Sequence, residues 1–224
     1  MHSVDKEIAV LKKGLKEMNI DYSESAINKF SDYLKILYSF EGRLHLISRN
    51  DFKRISLKHF LPSLIVLRFL GSEKYACDIG AGAGFPSIPV KILKSEVDFT
   101  LFESVKKRAH FLRDLIKQLN LSGIEVIDER AEHYNYKGRK FDLILVRAAG
   151  RISYLVKTID QLIAPEGRAI FYKTMAVADE LKQAEKKLHQ RNFSMKIEKV
   201  FTPLEHIPMT LVVLKKKNDF SSNC

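Results

Sequence analysis

The chain has 224 residues, 46% of them hydrophobic, which is enough for one domain with a full core and a small appendage. No apolar run approaches the ~18 residues of a membrane-spanning helix, and the charged start MHSVDKEIAVLKKG is unlike a secretory signal. The only two cysteines, Cys77 and Cys224, offer neither a disulfide framework nor a metal cluster, so we expect a cytoplasmic protein without a metal site.

The net charge of +11 favours a polyanionic partner, because basic side chains neutralise phosphates and release counterions. The excess lies mainly in residues 136–224, which hold 17 of the 38 basic residues but only 9 of the 27 acidic ones. A basic surface that is merely solvated stays an alternative. The side chains that we expect to contact phosphates are Lys137, Arg139, Lys140, Arg151, Lys182, Lys186, Lys187, Lys215, Lys216 and Lys217.

Residues 1–71 are predicted to form a helical extension. Ser23 is a plausible N-cap for a helix whose apolar residues recur at spacings of three and four. A second helix, FKRISLKHFLPSLIVLRFL, is predicted to begin after Asn50 or Asp51 and to stop near Gly71. Pro62 is expected to kink this helix or split it in two.

Residues 72–217 alternate short apolar runs with helical patterns, which is typical of an α/β, doubly wound sheet. We predict a mostly parallel sheet of seven strands, and a flexible tail over residues 218–224. The last two strands follow each other without a helix, so they are expected to pair antiparallel at the sheet edge. The predicted strands are YACDI, VDFTLF, IEVI, FDLILV, RAIFY, FSMKIEKVF and TLVVLKK.

Glycines occupy alternate positions directly after the first predicted strand, in the stretch DIGAGAGFPSIP. In such sheets, ligands bind beyond the carboxyl ends of the strands, so a ligand is expected to lie close to this backbone. A dinucleotide fingerprint would need G-x-G-x-x-G, whereas the third glycine here comes one residue too early and Phe85 takes its place. Pro86 and Pro89 also remove N–H donors that a pyrophosphate would need.

The D-x-G-x-G spacing of Asp78, Gly80 and Gly82 instead favours a ligand with an ammonium group and no phosphate, such as S-adenosylmethionine. Asp78 could face that ammonium, or merely cap the glycine loop. Glu103, at the end of the second strand, could accept the ribose hydroxyls or cap the following helix. After the third strand, Ala131 and Glu132 are positioned to meet the adenine through a backbone N–H and a carboxylate.

The sequence lacks features that some kinds of methyl acceptor require. No Pro-Cys pair is present for attack on a pyrimidine C5, and VRAAG stands where exocyclic-amine enzymes carry a D-P-P-Y type of loop. Guanine N7 has a free, unprotonated lone pair, so its methylation needs proximity and orientation rather than a general base. The chain is therefore compatible with N7 chemistry, which the absences alone do not establish.

The stretch DIGAGAGFPSIPVKIL resembles the D-x-G-x-G-x-G-x-P-G-x-P block of the small-subunit ribosomal RNA methyltransferase G family, also called glucose-inhibited division protein B. Two prolines just after the glycines are the specific part of this resemblance, which runs from residue 40 to 175 or so. Further similar segments are LHLISRNDF, KHFLPSL, ESVKKRAHFLRDLIKQLNL, ERAEHY and FDLILVRAAG.

The resemblance implies a class I fold and S-adenosylmethionine-dependent methylation of N7 of a guanine in the decoding-centre loop of 16S rRNA. The partner would be 16S rRNA or the small ribosomal subunit, and we expect a monomer. The cofactor contacts that it implies are Gly80, Phe85, Ala131, Glu132 and Arg147.

Arg147 and Lys173 are the predicted catalytic residues. Arg147 ends the fourth strand, where it could bind the methionine carboxylate, hydrogen-bond the guanine O6, or form a structural ion pair. Lys173 matches the lysine of the family's L-K-G segment, and it could hold an RNA phosphate or be an ordinary surface lysine. His59 matches a family histidine, although a core histidine is the favoured interpretation.

The chain departs from the family pattern at five positions. Ser87 and Thr174 stand where glycines are usual, Pro62 where an aspartate is, His45 where an asparagine is, and Val146 where a small residue is. Pro62 and His45 lie in the extension, so they bear on RNA contacts more than on the cofactor site.

Three rival functions stay open from the sequence. One is a methyltransferase with another RNA target. A second is an NAD(P)-dependent oxidoreductase, which the glycine spacing disfavours. The third is a non-catalytic RNA-binding protein of the same fold, which the intact Asp78, Gly80, Gly82 and Glu103 disfavour.

Overall fold

A computed structural model of the chain describes residues 3–134 and 140–217. Lys137, Arg139, Cys224 and the predicted tail lie outside the described residues. The helices are α1 Val4–Glu17, α2 Glu24–Ser39, α3 Leu61–Leu64, α4 Ser87–Leu93, α5 Lys106–Gln118, α6 Ile152–Leu162 and α7 Ala178–Gln190. The strands are β1 Tyr75–Ile79, β2 Asp98–Phe102, β3 Ile124–Ile127, β4 Phe141–Arg147, β5 Ile163–Lys173, β6 Phe193–Phe201 and β7 Pro208–Lys216.

Among the described residues, seven strands form one sheet in the order β3-β2-β1-β4-β5-β7-β6. Strands β1 to β5 pair in parallel, and β7 pairs antiparallel with both β5 and β6. The predicted doubly wound sheet and its antiparallel edge are thus confirmed. The strand order reverses between β1 and β4, which creates a crevice beyond their carboxyl ends.

Apolar layers cover both faces of the sheet. One layer packs α1, α2, the 51–69 segment, α4 and α5 together, through side chains such as Phe30 and Phe111. The other layer packs α6 and α7, through side chains such as Val156 and Leu188. The extension therefore shares a core with the sheet, and the predicted boundary at residue 71 stays a prediction.

The start of α2 follows from a local cap. The Ser23 hydroxyl accepts a hydrogen bond from the Ala26 N–H at 3.1 Å, which confirms the predicted N-cap. Tyr33 of the same helix is fully buried, and its hydroxyl donates to the Ala83 carbonyl at 2.5 Å. The extension is thereby held against the glycine loop.

The predicted helix over residues 51–69 is not one regular helix. It consists of a 3₁₀ turn over Asp51–Arg54, a π-turn over Ser56–Phe60, the short α3, and a 3₁₀ turn over Ile65–Phe69. Neither Asn50 nor Asp51 caps it through a side chain. Pro62 lies in the first turn of the short α3, and it lacks the N–H that would bond the Lys58 carbonyl in a regular α-helix.

We predict that Tyr33→Phe lowers the free energy of unfolding by about 1–3 kcal/mol, because the buried Ala83 carbonyl loses its donor. Urea unfolding at one pH measures the change. Tyr22→Phe is the control, since this tyrosine is 37% exposed and its substitution should change stability by less than about 0.5 kcal/mol. Equal stability of the two variants would show that the bond to the loop contributes nothing.

Candidate functional site

A cleft of ≈ 670 Å³ opens beyond the carboxyl ends of β1, β2 and β4, at the point where the strand order reverses. Its volume lies in the usual range for small-molecule sites. Four of the sequence-predicted residues line it together: Gly80, Glu103, Ala131 and Glu132. The loop after β4 forms the opposite wall through residues 148–150.

The glycine loop has a backbone that other residues would not tolerate. Gly80 and Gly82 have φ angles of +76° and +57°, in the left-handed region. A Cβ on Gly80 would lie 2.6 Å from the Cβ of Ala149, and a Cβ on Gly84 would lie 2.8 Å from the Tyr33 hydroxyl. The loop therefore needs glycine for its conformation and for its close packing against neighbouring elements.

Glu103 stands at the end of β2 and is 4% exposed. Its Oε2 accepts a hydrogen bond from the Gly82 N–H at 2.9 Å, and its Oε1 accepts one from the Val105 N–H at 2.8 Å. The carboxylate thus braces the glycine loop and the start of α5. An ionised carboxylate has about four acceptor sites, so two further donors can bind it from the cleft.

Ala131 and Glu132 form a short 3₁₀ turn, Ala131–His133, directly after β3. Ala131 is buried, and its N–H begins the turn, where no hydrogen-bond partner within the turn is available. Glu132 lies 3.5 Å from Arg130 in an ion pair whose side chains are largely exposed.

Asp78 is fully buried under the glycine loop. Its carboxyl group lies near the Ser87 hydroxyl and N–H at the start of α4, and neither carboxylate oxygen makes a well-formed hydrogen bond among the described residues. Burial raises the pKa of Asp78 to about 7, against the opposing influence of the nearby Ser87 hydroxyl and amide and of Arg147. Asp78 is therefore a buried acid near the start of α4, and it does not itself line the cleft.

Phe85 does not line the cleft with its side chain. The ring is stacked between Tyr33, at 5.6 Å, and His59, at 4.8 Å between centroids. Burial lowers the pKa of His59 to about 4, helped by the charge of Arg147 and opposed by Asp51. His59 is therefore a neutral ring in an aromatic cluster at neutral pH, as the core interpretation predicted.

Arg147 is held by the extension rather than by a carboxylate. Its guanidinium donates to the Lys58 carbonyl at 2.8 Å, the Ser63 hydroxyl at 3.1 Å and the His59 carbonyl at 3.4 Å. These bonds, to two backbone carbonyls and one hydroxyl, include no direct ion pair within the described part of the chain, so the role of Arg147 stays a prediction. The side chain stays at the crevice end of β4, partly exposed.

Lys173 is likewise bound within the chain. Its ammonium donates to Glu180 of α7 at 2.7 Å and to the Gly150 carbonyl at 2.9 Å. The same Glu180 oxygen accepts the Ile152 N–H at 2.7 Å. Lys173 thus fixes the loop after β4 to α7, which the sequence pattern did not reveal.

Sequence reasoning missed several residues that support the site. Ser63 and Tyr172 join the extension to the sheet, since the Tyr172 hydroxyl donates to the Ser63 carbonyl at 2.9 Å. Tyr33 was identified only as an apolar helix residue. Pro62 was the available signal, because a proline cannot donate the hydrogen bond that the carbonyl four residues earlier accepts in a regular α-helix.

No helix of residues 3–134 and 140–217 is long and apolar enough to cross a membrane. In the same described part of the chain, no cluster of three His, Cys, Asp or Glu side chains is placed to hold a metal ion. The expectation of a metal-free protein stays a prediction.

The fold and the cleft define the class of protein. The chain is similar to a methyltransferase from Pyrococcus furiosus, with a TM-score of 0.55 and 17% identity over 70% of this chain and 83% of that one. A putative methyltransferase from Streptococcus mutans, solved in complex with SAH, gives a TM-score of 0.50 and 18% identity over 70% and 94% of the two chains. The predicted class I methyltransferase fold is confirmed.

The sequence comparisons identify the family. A family model described as rRNA small subunit methyltransferase G matches residues 26–207. A protein named ribosomal RNA small subunit methyltransferase G from Desulforamulus reducens is 34% identical, over 92% of this chain and 88% of its own length. One of the same name from Bacillus pumilus is 35% identical, over 91% and 87%. The chain belongs to the rRNA small subunit methyltransferase G family, so the resemblance is confirmed.

We predict that Asp78→Asn stabilises the protein more at pH 8 than at pH 5. The pKa of Asp78 is about 7 when folded and about 4 when unfolded, so its stabilising contribution is complete below pH 4 and is lost as the pH rises through 7. Urea unfolding of the wild-type protein and of the variant at the two pH values measures the difference.

The pH dependence from His59 has the opposite sign, because a lowered pKa removes stability as the pH falls from 6.5 towards 4. His59 is present in the wild-type protein and in the variant, so its contribution cancels in the difference between them. An identical difference at pH 5 and pH 8 would show that Asp78 ionises in the folded protein as easily as in the unfolded chain.

Proposed function

We propose that this chain transfers a methyl group from S-adenosylmethionine to N7 of a guanine in the decoding-centre loop of 16S rRNA. The observation that carries the proposal is the glycine loop braced by Glu103, at the strand-order reversal of a chain that belongs to the rRNA small subunit methyltransferase G family. When bound, S-adenosylmethionine supplies the electrophilic methyl group of its sulfonium.

The residues of the cleft fit this cofactor. Asp78 does not itself line the cleft, but it provides a buried acid near the glycine loop, which suits an ammonium group better than a pyrophosphate. Glu103 keeps free acceptor sites for ribose hydroxyls, and Gly80 presents bare backbone to the cleft. Ala131 and Glu132 provide a backbone N–H and a carboxylate for the adenine edge.

Phe85 and Arg147 would act less directly than the resemblance implies. Phe85 positions the glycine loop by stacking between Tyr33 and His59. Arg147 is orientated by carbonyls of the extension, and its charge faces the crevice from the end of β4. Lys173 would fix the loop after β4 that forms one wall of the cleft, so its catalytic contribution would be through position.

The chemistry needs no proton acceptor for the attack, because the N7 lone pair lies free in the plane of the base. The chain's task is to hold the base and the methyl donor in line, and good orientation alone can contribute about 7–11 kcal/mol to the lowering of a barrier. The absence of an activated nucleophile from the sequence-predicted site is consistent with this reaction.

The substrate is proposed to be 16S rRNA or the small ribosomal subunit, and the enzyme is proposed to act as a cytoplasmic monomer. The decisive experiment incubates the protein with unmodified small subunits and labelled S-adenosylmethionine, then maps the modified base by mass spectrometry. A single 7-methylguanine in the decoding-centre loop is expected. Modification of another base, or transfer only to another RNA, would show that the proposed target is wrong.

We predict that Glu103→Ala weakens binding of S-adenosylhomocysteine by at least about tenfold, because ribose hydroxyls lose their acceptor and the Gly82 N–H loses its brace. Isothermal calorimetry measures the affinity. Glu96→Ala removes the same charge at an exposed site that does not line the cleft, and it should leave the affinity unchanged. Binding of NAD in place of S-adenosylhomocysteine would favour the oxidoreductase alternative.

We predict that the double substitution Lys182→Gln with Lys186→Gln weakens RNA binding and lowers the slope of log affinity against log salt by about 1–2. Both lysines are exposed on α7, one helical turn apart. The matched control is Lys74→Gln with Lys94→Gln, because these two lysines lie near the amino-terminal ends of β1 and β2 and not on α7. Equal slopes for the two double variants would show that α7 does not contact phosphates.

A further inference from the structure

The surface formed by α6 and α7 carries an exposed aromatic ring beside the cleft. Tyr154, in the first turn of α6, is 72% exposed, more than any other large hydrophobic side chain in residues 3–134 and 140–217. It lines the cleft of the proposed cofactor site, and its exposure places it at the outer rim. None of the proposed cofactor contacts involves this ring.

The ring of Tyr154 is held in place by α7. The ammonium group of Lys187 lies 5.9 Å from the centre of the ring, within the range of a cation–π interaction. The same ammonium donates a hydrogen bond to the Ser153 carbonyl at 3.0 Å, so the lysine is fixed to α6 next to the tyrosine. The ring therefore contacts a bound cation, and most of its remaining surface is open to solvent.

Further basic side chains surround the ring. Lys157 lies three residues after Tyr154 on α6, is exposed and also lines the cleft. Arg151 lies three residues before the tyrosine, and its guanidinium donates to the neutral Gln183 side chain of α7 at 3.3 Å, which leaves its charge uncompensated by that partner. Lys186 is exposed on α7, next to Lys187.

The acidic side chains of the two helices do not cancel this charge. Arg151, α6 and α7 together carry five basic and four acidic side chains. Two of the acids are paired with cations outside this group, Asp160 with Arg191 at 3.1 Å and Glu180 with Lys173 at 2.7 Å. Five cations therefore stand against two further acids, and the surface attracts a polyanion.

An exposed ring beside several cations suits single-stranded RNA, because an unpaired base stacks on the ring and the neighbouring phosphates bind the cations. A protein partner fits this surface less well, since lysines are depleted from the centres of protein interfaces. The adenine of the cofactor is the other possible occupant. The side chains proposed to hold the cofactor are, however, buried, as Glu103 and Ala131 are, whereas Tyr154 projects from the rim.

We propose that Tyr154 stacks on an unpaired base of the substrate RNA, a base other than the target guanine, and that Lys157 and Lys186 bind phosphates beside that base. The proposal rests on the proposed function and adds to it a contact on the surface of α6 and α7. RNA bound in this way passes over the rim of the cofactor cleft, because Tyr154 and Lys157 both line it.

Tyr154→Ala tests the proposal, with unmodified small subunits as the RNA. The Kd for the subunits, measured by filter binding without cofactor, should rise about tenfold, because the base loses its stacking partner. The slope of log affinity against log salt should stay the same, because the substitution removes no charge. Tyr154→Phe keeps the ring and should retain the wild-type Kd.

Lys157→Gln should differ from Tyr154→Ala in its response to salt. It removes one proposed phosphate contact, so the slope of log affinity against log salt should fall by about 1.

Tyr22→Ala is the matched control, since Tyr22 is an exposed tyrosine that does not line the cleft. It should retain the wild-type Kd for small subunits, and thermal unfolding should show that all variants are folded.

An unchanged Kd in Tyr154→Ala would overturn the proposal. An equal loss of subunit binding in Tyr154→Phe would also overturn it, because the hydroxyl and not the ring would then be required. Weaker binding of S-adenosylhomocysteine by Tyr154→Ala with subunit binding retained would assign the ring to the cofactor instead. Failure of the proposed function is distinct, because the wild-type protein would then transfer no methyl group to small subunits.

Discussion

Pro62 has no N–H to offer the carbonyl of Lys58 four residues earlier, and the guanidinium of Arg147 binds that carbonyl from the end of β4. Tyr172, near the end of β5, binds the Ser63 carbonyl in the same way. Two strand ends are thereby joined to the irregular segment of the extension. The orientation of Arg147 depends on this attachment.

The two acidic side chains near the glycine loop differ in their surroundings. Burial raises the pKa of Asp78 to about 7, and Glu103 accepts hydrogen bonds from two backbone N–H groups. The cleft itself carries charges of both signs, because Arg108, Arg130 and Lys157 line it together with Glu103 and Glu132.

Much of the fold followed from periodicity, because the strands are short, apolar and separated by clear helical patterns. All seven predicted strands are present, and the absence of a helix between the last two correctly indicated antiparallel pairing. The segment over residues 51–69 was predicted less well. Its apolar pattern indicates a helix, but a local pattern cannot specify the 3₁₀ and π turns that allow its carbonyls to reach Arg147.

The sequence by itself determined the glycine loop, the acids at the strand ends and the family, because these depend on residue type and on spacing along one chain. Only the tertiary structure decided what each side chain contacts. Phe85 lies in an aromatic stack, Arg147 is bound by carbonyls, and Lys173 is paired with Glu180. Those partners come from residues 7 to 89 positions away, and no local pattern records which distant groups the packing of the sheet will bring together.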